Sequence, residues 1–252
     1  MRIRATVVAV SGALALSALA VPAAQADGSL GDTKITKVVV DGDNKVTVAA
    51  SSSKSIKVSV TATDNSGIAS ADEFELEGPG YGYLTTSKPT CVKVNATTST
   101  CSASVLVDPR VGDLFNDNAG TWYVEAWIDA KDGDFIWKQK AGSFNFQRAS
   151  QLSANAAPEP VKKGKTITVT GKLSRANWET NKNAGYSTQP VKLQFRKKNS
   201  STYTTVKTIK TSSTGALKTT VKATADGYFR YSFAGTSTTP AVNAAGDFVD
   251  VK

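Results

Sequence analysis

Along most of this chain apolar and polar residues alternate one for one, in short runs separated by Gly, Asn, Asp and Ser. No stretch after residue 26 sustains the 3.6-residue apolar spacing of an amphipathic helix, so the expected fold is all-β. The runs predict strands over residues 34–40, 45–49, 55–63, 73–77, 91–94, 101–107, 121–130 and 134–145. A second group is predicted over 165–174, 190–196, 204–211, 216–223, 228–234 and 247–252. So many short strands need two facing sheets, because a single sheet leaves one apolar face in water. The pattern therefore predicts two consecutive β-sandwich domains, over residues 27–149 and 150–252. The boundary falls near 147–153, and Pro158 and Pro160, which cannot donate to a ladder, mark an edge at the start of the second group.

A weak repeat links the two halves. Asp117-Asn118-Ala119-Gly120-Thr121-Trp122-Tyr123-Val124 and Ala225-Asp226-Gly227-Tyr228-Phe229-Arg230-Tyr231 both run an Asp and Gly turn into an aromatic-rich penultimate strand. That arrangement looks like the corner before strand F of immunoglobulin-type domains. The second half, with Gly164-Lys165-Thr166-Ile167-Thr168-Val169-Thr170-Gly171-Lys172-Leu173 and Gln189-Pro190-Val191-Lys192-Leu193-Gln194-Phe195-Arg196, resembles the Ig-like modules of secreted actinomycete proteins. The first half is similar more loosely, through Val60-Thr61-Ala62-Thr63-Asp64-Asn65-Ser66-Gly67-Ile68 and the strand and turn over 122–133. The resemblance implies two Ig-like sandwiches and transfers no catalytic residue, because such modules serve many functions.

The N-terminus adds a compartment. Arg2 and Arg4 precede a 15-residue apolar run, Val7 to Val21, and the small-residue site Ala24-Gln25-Ala26. This reads as a signal peptide over residues 1–26, its run being shorter than the ~20 residues that span a bilayer. No later stretch is long and apolar enough to span a membrane, so the mature chain is expected outside it: secreted, extracellular or cell-wall associated. In that oxidising setting Cys91 and Cys101 are expected to form a disulfide. The net charge of +9 is unevenly spread. Residues 27–150 hold 12 basic and 16 acidic side chains, net −4, whereas residues 151–252 hold 16 and 5, net +11.

The chain has no histidine, which removes the usual general base, the triad imidazole and the commonest transition-metal ligand together. Glu73, Glu75 and Glu77 alternate with Phe74 and Leu76, so they share one outer strand face and lack the opposed, differently solvated pair of a glycosidase. No enzyme is expected, and no cofactor fingerprint appears. Asp129, Asp132 and Asp134, with Asp64 in another loop, offer oxygen ligands for calcium, against the alternative that Lys131-Asp132-Gly133-Asp134 is simply a hairpin turn.

With Asp132-Gly133 as a two-residue turn, Ile128 faces Trp137, Trp127 faces Lys138 and Glu125 faces Lys140. Trp122, Val124, Ala126 and Ile128 then point inward. Tyr123 and Trp127 point outward, either as a platform for sugar rings or to pack against a neighbouring element. In the second half, residues 175–189 form a long connection holding Trp178 and Tyr186, either a binding loop or a loop pinned by its own aromatics. Val191, Leu193, Phe195, Phe229, Tyr231 and Phe233 are expected inside, which sends Lys192, Arg196 and Arg230, with Lys207 from the next strand, onto one outer face. Such a face suits an anionic cell-wall polymer, whereas nucleic acid is not expected of an exported chain without the aromatic and glycine pattern of a nucleic-acid module. These features together lead to an extracellular binding or structural module of the cell envelope. The competing classes are an inhibitor or ligand of another extracellular protein and a small polysaccharide-active enzyme.

Overall fold

The structure, a computed structural model, describes residues 27–252; the predicted signal peptide lies outside the described residues. The first half folds as β1 (Gly28–Leu30), β2 (Lys34–Val40), β3 (Lys45–Val48), β4 (Lys54–Thr63), β5 (Ile68–Ala71), β6 (Glu75–Gly78), β7 (Gly82–Thr85), β8 (Thr90–Lys93), β9 (Thr98–Val107), β10 (Gly120–Ala130) and β11 (Phe135–Arg148). The second half follows as β12 (Ser150–Leu152), β13 (Asn155–Ala157), β14 (Thr166–Asn177), β15 (Lys182–Gly185), β16 (Pro190–Lys197), β17 (Thr204–Lys210), β18 (Ala216–Lys222), β19 (Gly227–Phe233), β20 (Val242–Asn243) and β21 (Asp247–Val249).

Strand order gives the architecture. One sheet of the first half runs β2-β4-β9-β8, and the other runs β1-β11-β10-β6-β7, with β3 parallel to the end of β11 and β5 beside β10. In chain position this is the A-B-E-D sheet facing the G-F-C-C′ sheet of the immunoglobulin sandwich. The second half repeats it without a D strand: β12, β13 and β18 flank β14, and β17-β16-β19 continues to β20 and β21. The fold is all-β, as the alternation predicts. Along β10, Trp122, Val124, Ala126 and Ile128 are all buried, and β4 opposes them with Ile56, Val58, Val60 and Ala62. The second core is smaller, built on Ile167, Val169, Leu193, Phe229, Tyr231 and Phe233.

Cys91 and Cys101 are directly paired across β8 and β9 and form the expected disulfide. It joins neighbouring strands of one sheet. Trp122 is buried in the core that the two sheets share; its Nε1 donates to Asn118 O at 2.6 Å and its ring lies 4.9 Å from that of Phe146 on the neighbouring strand.

Two local expectations change. The β10–β11 hairpin has a three-residue turn, Lys131-Asp132-Gly133, with Ala130 N donating to Asp134 O at 2.8 Å and Gly133 at φ +94°. Gly133 takes the left-handed position that a three-residue loop requires. The register shifts by one, so Trp127 faces Trp137 and Ile128 faces Ile136, and a bulge follows past Glu125. The long connection over 175–189 is also largely strand. β14 continues to Asn177, a turn at residues 178–181 reverses the chain, and β15 returns beside β14.

That second hairpin joins the two halves. Its tip places Trp178, 1% exposed, in the core of the first sandwich, edge-on to Phe146 at 6.1 Å and donating from Nε1 to Val48 O at 3.3 Å. Asn181, at φ +54°, donates to Pro109 O and Trp178 O, and Asn116 Oδ1 accepts from Trp178 N. Arg148, also buried, donates from Nε to Ala176 O at 2.6 Å.

Truncation of Trp178 to Ala is expected to lower the stability of the whole chain by about 3–5 kcal/mol in urea unfolding, as for other large aromatics removed from a core. A variant as stable as the parent would show that the hairpin tip does not complete the first core. Tyr231, buried with its hydroxyl donating to Val169 O at 2.8 Å, has its pKa pushed up to about 12 by burial. The native state therefore holds a proton that the unfolded chain loses near pH 10. This contribution is complete below pH ~10 and is lost as pH rises toward the native value, so Tyr231→Phe is expected to flatten the fall in melting temperature over that range.

Candidate functional site

The acidic residues singled out in the sequence separate into two groups. Asp64 and Asp134 approach each other and are joined by Asp32, with one carboxylate oxygen of each within 4.8 Å of the others. Asp129 and Asp132 stand apart from this group: Asp129 accepts from Trp127 Nε1 at 2.8 Å and from Ser70 Oγ, and Asp132 Oδ1 accepts from Asp134 N. The clustered carboxylates have partners within the loops. Asp64, 3% exposed, accepts from Thr33 Oγ1 at 2.7 Å and from both N and Oγ of Ser66. Asp134 accepts from Asp32 N. Burial alone raises the pKa of Asp64, but the Ser66 and Thr33 hydrogen bonds outweigh it, and the net effect lowers it. Here the carboxylates tie the start of β2 to the β4–β5 turn and the β10–β11 hairpin.

On the outer face of the first sandwich, Trp127 is half-buried. It stacks on Phe135 at 4.8 Å and lies against Trp137, whose Nε1 donates to Glu125. The shifted register brings Trp137 beside Trp127, and of the two alternatives for the outward Trp127 the structure shows packing, against Phe135 and Trp137 of the neighbouring strand. Tyr123 remains at the surface, with Lys140 Nζ 4.7 Å above its ring. Tyr81 and Tyr83, which strand patterning passed over because they sit on a glycine-rich turn, are more exposed than either.

In the second sandwich, Lys192, Gln194 and Arg196 of β16 point outward as expected, between buried Val191 and Leu193. Arg230 stands opposite Gln194 on β19. Arg196 and Arg230 belong to a continuous stack of side chains. The Arg230 guanidinium lies 3.8 Å from the centre of the Tyr203 ring, and Arg196 lies 5.4 Å from Tyr203 and 3.8 Å from Tyr228. Tyr228 meets Phe248 at 5.1 Å, and Lys198 Nζ is 5.4 Å from the Phe248 ring. Arg196 donates from Nη1 to Ser200 O, and Arg230 from Nε to Gln194 Oε1, both at 2.9 Å. Lys192, Arg196 and Arg230 make no ion pair among the described residues.

Lys207 does not join them. A bulge between Leu193 and Gln194 inserts Val206 into β17, so Lys207 falls opposite inward-facing Leu193 instead of outward-facing Lys192. Its ammonium reaches across the open edge of the sandwich to Thr219 Oγ1 at 3.1 Å.

No protein-family model matches the chain, and no curated protein matches it. Solved structures are similar at low identity. A DUF4785 family protein from Legionella pneumophila is 12% identical, with TM-score 0.39, over 84% of this chain, which spans 56% of that protein. The three N-terminal domains of the bacteriophage RB49 outer capsid protein Hoc are 10% identical, with TM-score 0.32, over 87% of this chain and 71% of that one. The D0-D1 domain of intimin is 15% identical, with TM-score 0.28, over 85% of this chain and 98% of that one.

Replacing Asp64 by Ala leaves the buried hydroxyl of Thr33 and the donors of Ser66 unpaired, and is expected to cost about 1–3 kcal/mol in urea unfolding. Because the native pKa of Asp64 lies below its unfolded value, its contribution is complete above the usual carboxylate range near pH ~4 and is lost as pH falls through the native value. The gap between wild type and variant should therefore narrow on acidification, and an unchanged gap would refute this role.

Proposed function

We propose that this chain is an exported, non-catalytic binding module whose second sandwich holds an anionic polymer of the cell envelope. The observation that carries the reading is the Arg230-Tyr203-Arg196-Tyr228 stack beside Lys192 on one sheet face. Stacking on tyrosine rings holds each guanidinium flat and costs none of its N–H donors. Arg196 uses one donor on Ser200 and Arg230 one on Gln194, which leaves several of the five on each guanidinium to grip a phosphate or carboxylate in bidentate fashion. Tyrosine ordering also lowers the entropy lost when an anion is bound.

Export is supported by the cationic and apolar N-terminal pattern and by the disulfide, which persists in an oxidising compartment. Among the described residues, no helix is long and apolar enough to cross a membrane. The non-catalytic reading rests on the absence of histidine and on Glu75, Glu77 and Glu125 lying side by side on one open sheet face, without the two carboxylates flanking a scissile bond that glycoside hydrolysis uses.

The test uses the full chain, because Trp178 ties the halves together. Sedimentation with purified cell wall should fall by about tenfold or more between 50 and 500 mM salt, as exposed charges are screened over a Debye length. The triple variant Lys192→Glu, Arg196→Glu, Arg230→Glu should stay in the supernatant, while Lys207→Glu, which faces the other way, should sediment nearly as wild type does. Salt-independent sedimentation, or equal loss in the triple and Lys207 variants, would exclude the stacked face as the site.

A further inference from the structure

The outer face of the first sandwich carries a different constellation. Tyr83 pairs across β6 with Glu77, and Glu77 pairs in turn with Tyr123 of β10, so the three stand in one row across the sheet. The row is about 10 Å long, two ladder spacings. At its end the β6–β7 turn presents Tyr81, which has no contact limiting its access to solvent: Tyr81 is 104%, Tyr83 53% and Tyr123 36% exposed.

The turn under Tyr81 is held from below. Gly78 and Gly82 lie against the Trp122 ring so closely that a Cβ at either would fall 2.2 Å and 2.5 Å from it. Buried Asn118 donates from Nδ2 to Pro79 O at 3.0 Å and to Gly80 O at 3.2 Å, and Gly82 N donates to Pro79 O. Tyr81 itself is at φ +59°, a left-handed conformation that costs an L-residue roughly 1–2 kcal/mol. A core tryptophan, a buried asparagine and two glycines thus fix the backbone of the turn from which Tyr81 projects. A tyrosine has only two rotatable side-chain bonds, so it loses little entropy on contact.

The groups between the rings select the occupant. Glu77, Thr121 and Lys140 line an open cleft of about 350 Å³ with Gly78, Pro79 and Tyr123. The Glu75 carboxylate near the Tyr83 hydroxyl holds that hydroxyl's pKa above its usual value. Carboxylate oxygens of Glu75, Glu77 and Glu125 within 4.8 Å of one another repel an anionic chain. A protein partner needs a contiguous apolar centre, and here the Tyr83 and Tyr123 rings are separated by the Glu77 side chain. A neutral glycan meets both conditions, laying the C–H face of a pyranose on a ring while its hydroxyls donate to carboxylates and accept from Lys140. We propose that Tyr81, Tyr83 and Glu77, backed by Tyr123 and Lys140, form a subsite for a neutral polysaccharide about two sugar rings long.

Isothermal titration of the full chain with hydroxyethylcellulose, mixed-linkage β-glucan, xylan and mannan tests this. At least one should bind, with affinity changing less than about twofold between 50 and 500 mM salt, since no counterions are exchanged. Tyr81→Asn, which keeps a residue tolerant of positive φ, and Tyr83→Ser should each weaken binding about tenfold, the scale of one aromatic contact, with melting temperature unchanged. The Lys192→Glu, Arg196→Glu, Arg230→Glu variant should bind the glycan as wild type does. Binding to none of the four glycans, equal binding by the tyrosine variants, or loss of binding in salt or in the triple variant would each overturn the proposal.

Discussion

The contacts that join the two sandwiches gather around one side chain that belongs to one and is buried in the other. Trp178 leaves the second half on the β14–β15 hairpin and fills the end of the first core against Phe146. Several otherwise unexpected features follow from that insertion. Gln147 and Arg148 close a strand yet are buried, because the hairpin and residues 236–240 cover them: Gln147 donates to Thr236 O, and Arg148 to Ala176 O. Burial, reinforced by the nearby charge of Arg175, pushes the pKa of Arg148 down to about 10, still far above neutral, so a full positive charge sits at the junction with carbonyl partners. Arg175, beside it, stacks on Tyr186 at 3.9 Å and donates from Nη1 to Thr239 Oγ1 at 3.1 Å. With the linker between β11 and β12 a single residue, Ala149, and the hairpin seated, the mutual orientation of the two sandwiches is constrained by packing as well as by the chain.

Where sequence patterning succeeds and where it stops has one physical reason. Burial on one face of a sheet imposes a period of two, and every strand long enough to show that period is visible: β2, β4, β10, β16 and β19 lie within a residue or so of their predicted bounds. Among the four-residue strands, β3, β6 and β8 fall within two residues of predicted bounds, whereas β5, β7 and β15, whose Ala, Ser, Gly and Asn positions dilute any apolar alternation, go unseen. Phase is the more fragile quantity. One added residue reverses every side chain beyond it, and no local composition announces which residue is added. Val206 does this to Lys207, and the three-residue turn at Gly133 does the equivalent to Trp137, which pairs with outward Trp127 instead of inward Ile128. The inward positions of β10 survived because its own alternation sets them, whereas its partners across the hairpin depended on the turn.

Trp178 was visible as an aromatic in a long connection, and its role was not. Patterning within one half cannot show that a side chain completes the core of the other, since the complementary vacancy, bounded by Val48, Leu114 and Phe146, is assembled from distant segments. The three-aspartate cluster is similar. Asp64 and Asp134 could be suspected from composition, but Asp32 is added only when β1 pairs with β11 and brings its loop alongside.

The charge asymmetry acquires a structural meaning once the faces are drawn. The acidic half puts its carboxylates between exposed tyrosines on the β7–β6–β10 face, and the basic half puts its guanidinia between tyrosines on the β17–β16–β19 face. The ring chemistry is shared and the ion sign is opposite. In the second half the rings order cations, each tyrosine sandwiched by or facing a guanidinium, so that on the proposed reading recognition passes to the charges. In the first half, among the described residues, Tyr123 alone is covered by a cation, and Tyr81 and Tyr83 keep free faces, so that the proposed glycan subsite works through the rings. Contact through charges decays with salt and contact through rings does not, so the two proposed faces make opposite demands on ionic strength, and a chain carrying both would keep a hold on a mixed polymer under conditions where one face alone fails.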